Sequence, residues 1–244
     1  MRKLGIFILL IYSFSNLYSQ EKISVSFNFS PILSNRILNS SVDTLPLLQK
    51  NTNTYINGRN KVDRSLFGLK MGFNLYYDLN TRFSIYSGLN YIFQRISQST
   101  LLPIEYFSIN GYQISYSSNK FYSLKNSEYY YLSVPIALKY NFLNQKLLIL
   151  SITSGLSFDY LIHSKLIDSG NTYTFDGNLK INDVTSEFNI GLNCDYMINN
   201  NFDIFCKPNF NMFIIPNIVE YNKVRQYNYY CAFEIGIKYK INSH

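Results

Sequence analysis

Two histidines and three cysteines among 244 residues leave few options for catalysis or metal binding. His163 follows Asp159 by four residues, and an Asp–His pair is the kernel of general-base chemistry. In an extended strand such residues share a face but stand about 13 Å apart, too far for the carboxylate to orient the imidazole. Ser164 falls on the opposite face and His244 ends the chain. The expectation is a solvated rim histidine on the inward face of its strand, and no catalytic residue is assigned. Cys194, Cys206 and Cys231 lack zinc spacing, and each stands where a small outward-facing apolar residue would serve. With no glycine-rich phosphate loop either, no cofactor or metal site is expected.

The remaining chemistry is ionic. Lys70, Lys139, Lys207 and Lys238, with Asp159, Glu187, Asp195 and Glu234, all fall on the polar face of segments whose other face is apolar. Buried charges need partners, so these eight are expected to pair inside whatever those segments enclose. A polar plug is then a simpler reading than an ion pathway.

The segments that must position them are strands. From Tyr129 to Phe142, Tyr130, Leu132, Val134, Ile136, Leu138 and Tyr140 alternate with Ser133, Ala137, Lys139 and Asn141. After a short turn, Leu148, Leu150, Ile152, Leu156, Phe158 and Tyr160 alternate with Ser151, Thr153, Gly155, Ser157 and Asp159. This period of two, with aromatic residues at the apolar ends, is the pattern of a membrane-crossing β-strand. Six more segments repeat it, beginning near Ile23, Phe67, Phe83, Phe188, Phe202 and Tyr227. The connections alternate long and short, with long ones over 31–64, 97–127 and 163–184, a shorter loop over 220–226, and tight turns at Asp78–Thr81 and Asn199–Asn201. The fold class is therefore all-β, an eight-stranded antiparallel transmembrane β-barrel with short periplasmic turns and long extracellular loops. Gly68, Gly72, Gly88, Gly155, Gly191 and Gly236 point inward by parity, where small residues let tilted strands coil around a narrow lumen. Pro135 and Pro208 fall inside strands, where each predicts a β-bulge or a local break.

Composition agrees. The chain is 47% hydrophobic and 17% aromatic, with 23 Tyr, 19 Phe and no Trp, yet its mean hydropathy is only −0.07 because inward polar residues cancel the outward apolar ones. Arg2 and Lys3 precede an apolar run from Leu4 to Phe14, so residues 1–19 read as a signal peptide and 20–244 as the barrel domain. The expected location is the outer membrane of a Gram-negative bacterium, which leaves nucleic acid out as a partner. Taking Arg2 and Lys3 from 22 basic residues leaves 20 against 15 acidic ones. Arg59 and Lys61 belong to a basic first loop, which simple solvation explains and which could also meet outer-membrane lipid and lipopolysaccharide. In the second loop, Glu105 to Ile109 and Tyr112 to Tyr116 flank Asn110–Gly111 as a type I′ hairpin, and Tyr106, Tyr112 and Tyr116 would form an aromatic binding patch. Counting this hairpin into the barrel would give ten strands, but Pro103 and the weak alternation that follows favour eight. A monomeric barrel is expected.

The run Tyr131-Leu132-Ser133-Val134-Pro135-Ile136-Ala137-Leu138-Lys139-Tyr140 resembles the Tyr-Leu-x-Ile-Pro-Leu-x-Leu-Lys-Tyr motif of the outer-membrane β-barrel (PorT-like) family of Bacteroidetes. Phe67 to Gly72 and Ser87 to Tyr91 are similar to that family's glycine-bearing strands. The resemblance implies an eight-stranded barrel, and, since a few members are linked to a secretion and gliding machinery, possible secretion-machinery partners. The resulting expectation is a non-catalytic, surface-exposed structural or binding protein, or an accessory of such a machinery. The alternatives are a narrow channel and a lipid-modifying or proteolytic enzyme.

Overall fold

In the computed structural model, residues 23–40, 63–100, 104–108, 111–115, 122–168, 171–173, 179–220 and 224–241 are described. They form strands β1 (Ile23–Ser40), β2 (Leu66–Asp78), β3 (Phe83–Thr100), β4 (Ile104–Ser108), β5 (Gly111–Ser115), β6 (Tyr122–Asn144), β7 (Leu148–Asp168), β8 (Asn171–Tyr173), β9 (Leu179–Ile181), β10 (Val184–Met197), β11 (Phe202–Phe213), β12 (Ile218–Glu220) and β13 (Val224–Ile241). Eight long strands pair antiparallel in the order β1, β2, β3, β6, β7, β10, β11, β13, and β13 pairs back onto β1. The sheet is closed, which removes its edges. The protein is thus an eight-stranded antiparallel β-barrel.

Two of the short turns are set by asparagine. Asn80 Oδ1 accepts the backbone N–H groups of Arg82 and Phe83, both at 2.8 Å. Asn199 Oδ1 does the same for Asn201 and Phe202 at 2.9 Å. An Asx side chain replaces a backbone acceptor in this way and locks a tight reversal.

The faces of the wall are inverted relative to a water-soluble protein. Phe73, Ile136, Phe158, Leu192 and Ile237 are exposed, whereas Asn28, Ser133, Ser157, Asp159, Glu187 and Glu234 are buried. Lipid is the solvent that makes this arrangement favourable. Two ring pairs bound the apolar band: Phe83 lies 4.9 Å from Tyr140, and Phe93 lies 4.9 Å from Tyr130. Ten residues separate the pairs on each strand. At roughly 3.3 Å per residue and a tilt near 40°, that is about 25 Å, the height of the apolar band of an outer-membrane barrel.

Above this band the sequence expectation requires correction. Residues 31–40 continue β1 instead of opening a polar loop, β3 runs on to Thr100, β6 begins at Tyr122, and β7 continues to Asp168. The reason lies inside. Ile32, Ile92, Ile96, Tyr129, Tyr131, Phe213, Ile218, Tyr230 and Ala232 pack together in the upper lumen. Apolar residues there occupy the inner face, so the one-sided apolar pattern ends although the strand does not.

The prolines break the ladder without bulging it. Pairing of β3 with β6 passes from Ser87↔Ile136 to Asn90↔Ser133 around Pro135 with no register shift, and that of β10 with β11 passes from Gly191↔Asn209 to Cys194↔Cys206 around Pro208. On their other sides both prolines remain in register, opposite Ser157 and Phe233. The missing N–H removes rungs on one side only. True register shifts occur instead at Ser99/Thr100, Tyr130/Tyr131 and Asn141/Leu143. Strands β4 and β5 form their own two-stranded sheet outside the barrel, with Ser108 opposite Gly111. The hairpin is therefore centred one residue earlier than an Asn110–Gly111 turn would place it, and it adds nothing to the barrel count.

Candidate functional site

The charged residues carried inward meet across the lumen as well as along the wall. Asp195 on β10 accepts from Lys139 on β6 and, at 3.1 Å, from Lys238 on β13; Asn193 adds a donor at 2.8 Å. The ring of Tyr76 lies beneath both ammonium groups, 6.0 Å from that of Lys139 and 4.9 Å from that of Lys238. A cation over an aromatic face gains from the ring quadrupole, which suits a desolvated lysine. Lys207 pairs with Glu234 at 3.0 Å across adjacent strands and sits 5.3 Å from the Tyr86 ring. Higher up, Lys70 reaches Glu187 at 4.0 Å, and the Tyr230 hydroxyl donates to Glu187 at 2.9 Å.

The expected pairing is thus largely met, with one difference. Asp159 is buried, and neither of its carboxylate oxygens has a hydrogen-bond partner among the described residues. Lys70, the cation that would serve it, is engaged with Glu187.

Above the ionic layers the Tyr131 hydroxyl accepts from Asn217 at 2.9 Å. Asn228 donates to Gln94 at 3.1 Å, Gln226 donates to Asn228 at 2.9 Å, and Arg36 bridges Asp63 and Gln226, both at 2.7 Å. Beneath this network the lumen retains a small cavity lined among others by Lys70, Asn90, Lys207 and Glu234. That accommodates roughly one water. Among the described residues side chains fill the lumen at these levels, as in an eight-stranded barrel.

His163 departs from expectation. The register passes from Tyr131↔Leu161 to Tyr130↔His163, so Ile162 is an extra residue in β7. Leu161 packs toward the inner cluster, and His163 is exposed with its ring 5.7 Å from that of Tyr130. The bulge turns it outward, away from the face that carries Asp159. The cysteines lie on the lipid side as expected, Cys194 opposite Cys206 and Cys231 opposite Phe210. Tyr106 and Tyr112 lie on β4 and β5, but only their backbone falls within the described residues. Tyr116, Arg59 and Lys61 lie outside those residues, as do 1–19.

One cluster was not anticipated. Arg95 on β3, Glu128 on β6 and Lys165 on β7 are direct cross-strand neighbours in one row of the outer wall. Continuing the outward parity of Phe83 to Phe93 by one step would have found Arg95; the parity of Lys165 is readable only once the bulge is known.

No protein-family model matches the sequence, and no curated protein matches it. Among solved structures, the chain is similar to the outer membrane protease OmpT from Escherichia coli, with a TM-score of 0.50 and 10% identity over 91% of this chain and 98% of that one. It is likewise similar to the outer membrane protein OprG from Pseudomonas aeruginosa, with a TM-score of 0.50 and 9% identity over 91% and 97%. The chain is an outer-membrane β-barrel. At such identities the likeness is one of fold. The barrel belongs in the outer membrane of a Gram-negative bacterium, with its asparagine turns and both ends of the sheet, Ile23 and Ile241, on the periplasmic side.

Proposed function

We propose that this barrel is a non-catalytic outer-membrane protein that works through its outer surface and rim, as a structural or binding protein or as an accessory of a secretion machinery. The observation that carries this reading is the occupied lumen, where Lys139, Lys238 and Asp195 lie under the Lys207–Glu234 and Lys70–Glu187 pairs. Ion pairs that cross the barrel hold its walls together and fill the route a solute would take. The Tyr131 to Tyr140 motif supports placement with the PorT-like barrels, and through them an accessory role. In that motif Tyr131, Ser133, Pro135, Ala137 and Lys139 are all buried, so its specific residues maintain the interior. Refolded protein in planar bilayers tests the reading: the expected trace is flat, whereas steady unitary conductance would replace a binding role with a channel. Cross-linking in intact outer membranes then separates an accessory, which is recovered with stoichiometric envelope proteins, from a self-sufficient barrel, which is recovered alone.

A further inference from the structure

The row Arg95, Glu128 and Lys165 stands one step above the outer ring pair Phe93–Tyr130. Two residues along a tilted strand raise it about 5 Å, from the upper edge of the apolar band to the level of lipid headgroups. Glu128 and Lys165 both converge on Tyr130. Its hydroxyl donates to Glu128 at 2.9 Å, its ring stacks on Phe93, and Lys165 holds its ammonium 5.6 Å from the ring centre. Arg95 Nε also lies 3.3 Å from Glu128 as an ion pair, and the Arg95 side chain remains 37% exposed. One buried carboxylate thus anchors a guanidinium, which has five donors in all, so capacity remains for a second anion. The exposed His163 extends the patch on the membrane side.

The geometry points to a binding site for the phosphate of an outer-leaflet glycolipid, with Arg95 and Lys165 as the phosphate ligands and Phe93, Tyr130 and His163 as the platform beneath the sugar. Two cations against one carboxylate give the row a net positive charge, and its height matches where such phosphates lie. Below it, Tyr91, Leu132, Val134 and Phe158 form exposed apolar wall along which acyl chains would run. This goes beyond the function proposed above. It requires the barrel to sit in the outer membrane but not that its lumen be closed, so conductance and lipid binding fail independently.

The test uses the full barrel, folded in a zwitterionic detergent and titrated with a bis-phosphorylated glucosamine lipid under native mass spectrometry. A 1:1 adduct is expected. The double variant Arg95→Gln/Lys165→Gln weakens it about thirtyfold, from the loss of two interfacial charges, while Arg82→Gln, in a periplasmic turn, leaves it unchanged. Removing the phosphates from the lipid abolishes the difference between wild type and double variant. Should the double variant fail to show the heat-dependent gel migration of a folded barrel, Lys165→Gln alone is read instead, with about fivefold weakening expected. Equal binding by wild type and variant, or an equal loss in Arg82→Gln, overturns the site. Inorganic phosphate competing as tightly as the lipid overturns the assignment to a lipid.

Discussion

Asp195→Asn removes one charge and almost no volume in the lower, turn-side part of the lumen. Asp195 is fully buried and holds two ammonium groups, Lys139 from β6 and Lys238 from β13, which approach it from opposite parts of the wall. The amide can still accept from one lysine and keep its contact with Asn193, but it neutralises neither cation. Removing one partner of a buried pair costs about 3–5 kcal/mol because the partner left behind remains desolvated. Two lysines are left behind here, and the Tyr76 ring below both offsets only a little of that, so about 4 kcal/mol is expected. With a guanidinium m-value of roughly 4 kcal/mol/M, the unfolding midpoint falls by about 1 M at unchanged m. Reversible unfolding in zwitterionic lipid vesicles, followed by circular dichroism and gel migration, reads it directly. The triple variant Asp195→Asn/Lys139→Met/Lys238→Met returns to within about 1 kcal/mol of wild type, since an apolar replacement of a whole buried ionic group is tolerated. A midpoint shift below about 0.2 M, or no recovery in the triple variant, would refute the claim that this cluster couples the two halves of the wall.

Two further outcomes follow from positions on either side of the wall. Gly236→Ala would press a methyl carbon against the backbone oxygen of Phe27 and set it 2.6 Å from the Phe205 ring; backbone cannot yield as a flexible side chain does, so about 2 kcal/mol of unfolding free energy is lost by the same assay. Cys194, Cys206 and Cys231 lie on the outward face, so in vesicles an apolar maleimide should label them at least tenfold faster than a sulfonated one, and equal rates would place them in water.

Much of this was legible because a membrane barrel obeys two local rules, alternation along strands and tight turns at one end. Leu148 to Tyr160 shows its outward face in the sequence, and Asn80 and Asn199 mark reversals that the structure keeps. The inward glycines followed from the same parity. Contact partners were less legible. Lys139 and Asp195 are separated by an intervening strand and meet across the lumen, so their pairing depends on closure and stagger, which no window of sequence contains. The upper strand ends were missed for a related reason. Ile32 and Leu38 are buried inward among Ser34 and Arg36, so the polar inner face that marks β1 as a membrane strand becomes mixed while the ladder continues to Ser40. The outward turn of His163 was hidden by a single unpaired residue whose signature is absent from composition and period alike.

That residue, Ile162, acts as a frame shift in β7. Below it odd-numbered residues such as Ser157 and Asp159 belong to the lumen, and above it odd-numbered His163 and Lys165 belong to the exterior. The strand is in effect two texts in opposite phase, one written for lipid and the other for the surface above it. Drawn into the ladder without the bulge, β7 would set Ile162 opposite Tyr130 and Ser164 opposite Glu128 and turn His163 to the lumen; with Ile162 held out, His163 and Lys165 take those outer places. Holding one residue out of the ladder therefore decides which side chains the outer wall presents at this level, while the pairing of the membrane span below it is untouched.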